Sequence, residues 1–240
     1  MKVHVLTLFP DMIVSVLSAS MLKRAQAKGL LEVCVHNLRD YTEDGRADDL
    51  PYGGGPGMLI KAQPILKAVA HLEEMEGPMR ILLMSPQGTQ FNQNFAVSLA
   101  REDRPILLIC GHYEGIDARV SEKLIPEEIS VGDYILTGGE LAALVIMDAA
   151  TRLIPGVLGD PASLLEESFA LPLLEYPNYT RPYQLDGMTV PNVLRSGHHA
   201  KIRQWRREQS LLNTVRKRPD LLLSFPAPQE EGFLHCAKRP

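Results

Sequence analysis

Glycine-rich segments follow three of the predicted strands, and they are the residues best placed to hold a ligand. They read Ser-Pro-Gln-Gly at 85–88, Gly-His-Tyr-Glu-Gly-Ile-Asp at 111–117 and Gly-Asp-Tyr-Ile-Leu-Thr-Gly-Gly-Glu at 132–140. Glycine lets the backbone approach a ligand closely and adopt positive φ. One such loop is weak evidence because strand-to-helix turns often need glycine. Three in succession predict a ligand site at the carboxyl ends of neighbouring strands.

Two absent signatures narrow the chemistry of that ligand. The Gly-Gly-Gly-Pro-Gly-Met segment at 53–58 lacks the Lys-Ser/Thr pair that completes a phosphate-binding Walker loop. After the first predicted strand, Leu-Phe-Pro at 8–10 stands where a dinucleotide-binding GxGxxG would be. A cradle of backbone groups without a phosphate signature suits a nucleoside that carries no phosphates, and a methyl donor of that kind fits the pattern.

The elements that must position these loops alternate between strand and helix patterns. The pattern predicts strands at 3–8, 31–38, 80–84, 105–110 and 129–133, and the apolar runs at 80–84 and 105–110 are typical of buried strands. Amphipathic runs predict helices at 12–27, 60–75, 91–101 and 139–153. Strands without internal alternation, separated by helices, predict an α/β domain on a parallel sheet that is covered on both faces.

Composition limits the class of protein and its location. At 45% hydrophobic and 22% charged residues, the 240-residue chain is typical of globular proteins. The apolar run at 141–147 is too short to span a bilayer, and no secretory signal follows the first methionine. Cys34, Cys110 and Cys236 show no CxxC spacing, which argues against a disulfide framework or a zinc site. We therefore expect a cytoplasmic protein with no membrane partner and no metal-ligand cluster.

The character of the chain changes after the α/β pattern ends. We predict a domain at 1–160, a mobile interdomain linker at 161–182 and a small helical domain at 183–240, centred on a helix at 198–216. The net charge is −4, but eight Lys and Arg residues lie between 195 and 218 against one acid, Glu208. Because phosphates respond to local charge, this segment predicts contact with nucleic acid.

Long motifs in a fixed order make the resemblance specific. The chain resembles bacterial tRNA (guanine-N1)-methyltransferases of the SPOUT class over roughly residues 1–222. The resemblance rests on Leu-Phe-Pro (8–10), Tyr-Gly-Gly-Gly-Pro-Gly-Met (52–58), Leu-Met-Ser-Pro-Gln-Gly (83–88), Cys-Gly-His-Tyr-Glu-Gly-Ile-Asp (110–117), Ser-Val-Gly-Asp-Tyr-Ile-Leu-Thr-Gly-Gly-Glu-Leu (130–141), Ile-Pro-Gly-Val-Leu-Gly (154–159), Tyr-Thr-Arg-Pro (179–182) and Val-Leu-Arg-Ser-Gly-His-His (193–199).

The resemblance implies an activity, a fold and partners. The activity is transfer of a methyl group from S-adenosylmethionine to N1 of the guanine 3′ of the tRNA anticodon. The fold is a SPOUT-type parallel sheet with a deep trefoil knot, followed by a small C-terminal helical domain. The partners are the anticodon stem-loop and a second subunit, in an obligate homodimer that completes each site. A magnesium requirement is also implied, although the sequence contains no ligand cluster for it.

Site residues for the methyl donor follow from the resemblance, position by position. For two of them, Ile135 and Leu136, a core role is an equally valid interpretation, because a buried adenine also needs apolar walls. The expected donor site comprises Pro86, Gly111, Glu114, Val131, Gly132, Asp133, Tyr134, Ile135, Leu136, Gly138 and Gly139.

The chemistry requires a base and a cation. Guanine N1 carries a proton at neutral pH, so a carboxylate must remove it, and charge then builds towards O6, where a fixed cation stabilises it. By resemblance Arg152 is the cation, although an arginine at a helix end can simply complement the helix dipole. The family's aspartate before Ser-Phe is replaced by Glu167, which we expect to be the base, with Glu166 as the alternative. Glu175 is a weaker candidate for shaping the site.

Basic residues near 200 are the candidate tRNA contacts. Arginine and lysine bind phosphates, and an aromatic side chain can stack on a base. Trp205 is equally compatible with stacking and with a core position, and His198 and His199 fit RNA contact or a helix start better than catalysis. The expected tRNA-binding residues are Lys201, Arg203, Arg206, Arg207 and His198. Two alternatives stay open, a related SPOUT enzyme with another RNA target and a non-catalytic RNA-binding module.

Overall fold

The computed structural model describes residues 1–160 and 163–223. The chain divides into two compact units, Met1–Gly159 and Asp160–Pro240. Pro161, Ala162 and residues 224–240 lie outside the described residues. Parts of the predicted linker and helical domain, together with Cys236, therefore lie outside them too.

A parallel sheet forms the centre of the first unit. Its strand order is β2-β1-β6-β5-β7, and every neighbouring pair is parallel. A separate antiparallel pair joins β3 to β4. The strands of this unit are β1 (Lys2–Thr7), β2 (Glu32–Asn37), β3 (Asp48–Asp49), β4 (Leu59–Ile60), β5 (Arg80–Gln90), β6 (Ile106–Ile109) and β7 (Glu127–Ser130).

Helices cover both faces of the sheet. They are α1 (Pro10–Leu17), α2 (Ser20–Ala27), a short 3₁₀ helix (Leu38–Tyr41), α3 (Ala62–Glu76), α4 (Gln93–Ala100), α5 (Arg119–Leu124) and α6 (Glu140–Thr151). Buried residues of α1, α2, α4 and α6 pack in one core with Val5 and Leu108, while α3 and α5 pack in another with Leu6 and Leu107. The predicted α/β fold with a parallel sheet is confirmed, because strands buried on both faces read as continuous apolar runs.

The helix predicted at 12–27 is wrong as a single element, because it is broken into α1 and α2. The Ser18 hydroxyl donates to the Ser15 carbonyl oxygen at 2.7 Å, a local bond that competes with continued helix. Ala19 is extended, and Ser20 begins α2 at a positive φ of 49°. The break turns the chain so that both halves pack on the same face of the sheet.

The turn predicted at 85–88 is also wrong, because these residues continue β5. The strand passes β7 in two registers, with Met84 and then Thr89 opposite Ile129. Gly88 lies at this irregularity, where an added Cβ would come within 2.3 Å of the Glu128 backbone carbon. The glycine therefore permits two backbones to approach more closely than a side chain would allow.

The second unit is mainly helical in the part of the chain that the structure describes. Its elements are α7 (Ser163–Glu166), β8 (Gln184–Leu185), β9 (Met188–Thr189), α8 (Asn192–Arg195), α9 (His199–Lys217) and α10 (Asp220–Leu223). The β8–β9 hairpin was not predicted, although its Asp186-Gly187 turn has positive φ at both residues, the typical signal for a tight hairpin. The helix predicted at 198–216 is α9.

A buried histidine, His4, and a half-buried one, His36, lie together on the first unit's sheet. The rings of His4 and His36 stack at 5.2 Å, and His4 Nδ1 and His36 Nε2 are 2.9 Å apart and share a hydrogen bond. Burial lowers the pKa of both rings, although Glu76 opposes this at His4. The neutral rings are therefore the forms that the folded chain favours.

We predict that stability falls as the pH drops below about 6.5, the ordinary histidine pKa. The unfolded chain binds protons first, because the folded pKa values are lowered, so acid favours unfolding. Urea midpoints at pH 7.5 and 5.5 measure the loss, and His36→Gln should make it smaller. The matched control is His199→Gln, which alters an exposed histidine and should leave the fall in urea midpoint between the two pH values unchanged. An equal fall in all three proteins would contradict the prediction.

Candidate functional site

A cavity of about 340 Å³ lies at the carboxyl ends of β6 and β7 and is bordered by the middle of β5, from Met84 to Pro86. Small-molecule sites are commonly clefts of about 300–1,000 Å³ at such positions. Of the expected donor-site residues, the structure brings together all but Asp133, which is exposed and does not line the cavity. Those that line it are Pro86, Gly111, Glu114, Val131, Gly132, Tyr134, Ile135, Leu136, Gly138 and Gly139.

Two of the glycine-rich loops are joined through their backbones. The Gly139 amide donates to the Gly111 carbonyl oxygen at 2.8 Å, and His112 pairs with Gly138 in an isolated bridge. A Cβ on Gly139 would lie 2.9 Å from Cys110 Cα, and one on Gly138 would lie 2.3 Å from Glu140 Oε2. Glycine is required at both positions because other atoms occupy the space of a side chain.

The remaining walls of the cavity combine backbone groups with exposed apolar side chains. Ile135 is 81% exposed and Tyr134 is 58% exposed, although both line the cavity. The Tyr134 hydroxyl donates to the Val131 carbonyl oxygen at 3.2 Å and thereby closes the turn over Gly132. Exposed apolar side chains around a cavity provide a surface that a flat ligand can cover.

A buried carboxylate supports the cavity from below, and the sequence analysis missed its role. Glu140 begins α6 and is only 1% exposed. Its Oε1 accepts the Thr7 hydroxyl at 2.6 Å, and Thr7 Oγ1 in turn accepts the Phe9 amide at 2.9 Å. Its Oε2 lies 3.8 Å from His112 Nδ1. The available signal was an acidic residue directly after Gly-Gly at a predicted helix start, where it complements the helix dipole.

The end of the glycine-rich segment at 53–58 lies against the loop at 110–117. The Glu114 amide donates to the Met58 carbonyl oxygen at 3.1 Å, and Ile60 exchanges backbone bonds with Gly115 and Asp117. A Cβ on Gly57 would come within 2.3 Å of the Glu114 side chain. Residues 57–60 therefore hold the 110–117 loop, a role that the sequence analysis did not assign to them.

Cys110 directly follows β6 and is buried in the core beneath the glycine-rich loops. Burial raises the pKa of its thiol well above the ordinary range, and the nearby Glu140 carboxylate raises it further. A thiol with a raised pKa is a poor nucleophile because it stays protonated. The cysteine is therefore a packing residue of the core.

The two expected catalytic residues lie in different units. Arg152 follows α6 in the first unit, is half-buried, and donates its amide to the Asp148 carbonyl oxygen at 3.2 Å. Glu167 follows α7 in the second unit and is half-buried. The alternative base, Glu166, is already engaged, because it accepts hydrogen bonds from the Tyr176 hydroxyl and from Arg206.

The expected tRNA contacts lie on or beside α9, but they differ in exposure. Arg206 is half-buried and paired with Glu166 at 2.9 Å. Trp205 is also half-buried, with its ring 6.5 Å from that of Tyr179. The exposed members of the expected set are Lys201, Arg203, Arg207 and His198.

Residues 1–160 and 163–223 bear on whether the chain could hold a metal ion or cross a membrane. No group of three or more His, Cys, Asp or Glu side chains there is arranged to hold a metal ion. Among the same residues, no helix is both long and apolar enough to cross a membrane.

The fold and the cavity define an α/β protein with a ligand site at the carboxyl ends of parallel strands. The family model described as tRNA (Guanine-1)-methyltransferase TrmD matches residues 1–224, so the chain belongs to this family. The tRNA (guanine-N(1)-)-methyltransferase of Pelotomaculum thermopropionicum is 53% identical, with 92% of this chain and 90% of that protein covered. That of Moorella thermoacetica is 52% identical, covering 100% and 97%. That of Streptococcus uberis is 52% identical, covering 98% and 97%. The resemblance drawn from the motifs is confirmed.

We predict that Gly139→Ala weakens both the fold and the cavity. The added Cβ would press on Cys110 Cα and Met84 Cβ, each 2.9 Å away, so backbone must shift. Overpacking of this kind costs about 1–3 kcal/mol. Urea unfolding measures the loss, and titration with S-adenosylmethionine, the expected donor, should show weaker binding. Gly159→Ala is the control, because nothing lies within 4 Å of its added Cβ. Equal urea midpoints for the two variants would refute the steric argument.

Proposed function

We propose that this tRNA (guanine-N1)-methyltransferase takes its methyl group from S-adenosylmethionine and transfers it to the guanine 3′ of the anticodon. The activity is the one in the name of its family and of relatives about half identical to it. The observation that carries the choice of donor is the cavity that the glycine-rich loops form at the carboxyl ends of β6 and β7, beside the middle of β5.

The lining of this cavity fits a nucleoside that carries no phosphates. Backbone groups of Gly111, Gly138 and Gly139 come close to the cavity without side chains between. Ile135 and Leu136 offer apolar surface, which suits the flat face of an adenine. Among the described residues, no lysine or arginine lines this cavity, which agrees with a ligand lacking phosphates.

The reaction needs a proton acceptor and a cation from this chain. The donor supplies a methyl group bonded to a positively charged sulfur. We assign the N1 proton of guanine to the Glu167 carboxylate, which leaves the N1 electron pair free to form the bond to the methyl carbon as the carbon–sulfur bond breaks. Arg152 then stabilises the negative charge that builds towards O6. The sulfur leaves as an uncharged thioether.

A second copy of the chain is part of the proposal. Helices α1 and α6 share a core, yet each exposes apolar residues away from it. Met12, Val14 and Val16 of α1 are 37–50% exposed, and Leu141 and Val145 of α6 are 48% and 53% exposed. A homodimer that buries this apolar face would complete each site with residues of the partner. The backbone bonds between the 111–117 and 132–140 loops support a knotted arrangement around the donor.

The second unit is proposed to bind the anticodon stem-loop. Arg203 and Arg207, four residues apart, expose positive charge on one face of α9, and Lys201 is exposed elsewhere on the same helix, so RNA phosphates can pair with them. Residues 161–182 would form the linker and residues 183–240 the tRNA-binding part. Salt should weaken binding strongly if these contacts carry affinity.

The proposed function predicts where the methyl group goes. The protein, isotope-labelled S-adenosylmethionine and a tRNA with guanine 3′ of the anticodon are incubated together, and the labelled nucleoside is located by digestion and mass spectrometry. We expect 1-methylguanosine at that position and none in a tRNA with adenine there. Label on ribose or at another base would identify a relative with a different RNA target. Donor binding without any transfer would indicate a non-catalytic RNA-binding protein.

The base assignment is tested by two neighbouring glutamates. We predict that Glu167→Gln lowers the single-turnover methylation rate at least about a hundredfold, because general-base catalysis contributes about 10²–10⁴-fold. Glu166→Gln keeps an oxygen acceptor for Tyr176 and Arg206 and should retain most of the rate. Near-normal methylation by Glu167→Gln would exclude Glu167 as the base.

A further inference from the structure

Two side chains from separate parts of the second unit converge on one carboxylate. Glu166 Oε2 accepts a hydrogen bond from Arg206 Nη1 at 2.9 Å and another from the Tyr176 hydroxyl. The Arg206 guanidinium also lies over the Tyr176 ring, 4.6 Å from its centre. Each member of this triad contacts the other two, so the geometry is fixed by mutual support.

The Tyr176 hydroxyl and the Arg206 guanidinium keep their protons at neutral pH, so both remain hydrogen-bond donors. Burial, with the Glu166 hydrogen bond, raises the pKa of Tyr176 to about 12, so its hydroxyl remains a donor. The Arg206 Nε atom is buried and has no hydrogen-bond partner among the described residues. The inner part of this guanidinium therefore faces protein, which is unlike a side chain presented to RNA phosphates.

The triad closes a loop that begins with the proposed base. We call residues 167–175 the acidic loop, because it lies between Glu166 and Tyr176 and carries Glu167 and Glu175. Within it, the Ala170 amide donates to the Glu167 carbonyl oxygen at 3.2 Å, and the Glu175 amide donates to Ser168 Oγ at 2.9 Å. The loop is thus internally bonded, and Glu167 is its first residue.

One face of α9 holds the far end of the acidic loop. Thr214 Oγ1 accepts the Leu174 amide at 2.9 Å, and the Asn213 side-chain amide donates to the Glu175 carbonyl oxygen at 3.0 Å. Arg206, Asn213 and Thr214 are seven and eight residues apart, the spacing that places side chains on one helix face. Arg203 and Arg207 are exposed. The helix therefore offers one face to the acidic loop and other arginines to solvent.

We propose that Glu166, Tyr176 and Arg206 are positioning residues that hold Glu167 in place for proton removal, with Arg206 acting through this triad rather than as a tRNA phosphate ligand. The proposal rests on the proposed function, in which Glu167 is the base. It reassigns one of the residues that the sequence predicted to bind tRNA.

The test separates the rate of methyl transfer from tRNA affinity. Single-turnover rates are measured against tRNA concentration at saturating S-adenosylmethionine for Tyr176→Phe and Arg206→Lys. Both variants keep most of the side chain's bulk. Tyr176→Phe loses the hydroxyl group, and Arg206→Lys loses the planar guanidinium. We expect the maximal rate to fall at least about tenfold, because a small misplacement of a catalytic group can cost about a hundredfold. Half-saturating tRNA concentrations should stay within about twofold.

Arg207→Gln is the matched control, since Arg207 is an exposed arginine on the same helix. Its main effect should be a several-fold rise in the half-saturating tRNA concentration, whereas the main effect of the triad variants should be on the maximal rate. Arg206→Lys behaving like Arg207→Gln would overturn the proposal. So would a Glu166→Gln variant as inactive as Glu167→Gln, because Glu166 would then act on the substrate itself.

A second measurement, which does not depend on methyl transfer, makes the test independent of the proposed function. Hydrogen exchange of the Ala170 and Glu175 amides reports whether the acidic loop is closed. Tyr176→Phe should speed their exchange at least about tenfold, while Arg207→Gln should not. Unchanged exchange in Tyr176→Phe overturns the triad's role. If the unsubstituted protein forms no 1-methylguanosine but the variant exchanges faster, the proposed function fails and the positioning of the loop stands.

Discussion

The hydrogen bond from the Gly139 amide to the Gly111 carbonyl oxygen is the contact on which the cavity depends. It joins the loop after β6 to the loop after β7, and it can form only because neither loop carries a side chain at the junction. The cavity exists because these backbones meet without filling the space between them. A fold of ordinary α/β turns would separate the two loops. Here their junction also sets where α6 begins.

The Glu140 carboxylate secures that junction from beneath. A buried carboxylate is costly unless hydrogen bonds and a favourable field compensate for lost water. Thr7 supplies one bond, and the first turn of α6 supplies unpaired amides and the positive end of the helix dipole. Because Thr7 ends β1, this carboxylate ties the first strand of the sheet to the last donor loop. The central sheet and the cavity are thereby a single cooperative structure.

The sequence predicted those elements whose pattern is set by their own residues. Strand β6 is apolar throughout, and α3, α6 and α9 follow a helical period, so the local pattern was sufficient. Elements that depend on distant partners were missed. Residues 85–90 extend β5 because β7 pairs with them, and the Glu140 interaction requires Thr7, 133 residues away in sequence. The residues that line the cavity were singled out through motif resemblance, which carries tertiary information that periodicity does not.

The different surroundings of neighbouring basic residues follow from the helix that carries them. A run of basic residues looks uniform in sequence, but a helix turns its members to different surroundings. Arg206 meets Glu166, 40 residues earlier, and Tyr176, whereas Arg203 and Arg207 remain exposed. Local charge therefore could not distinguish the one arginine that pairs within the unit from those that face solvent. Because α9 both holds the acidic loop and presents arginines to solvent, the proposed tRNA contacts and the proposed base depend on the same helix.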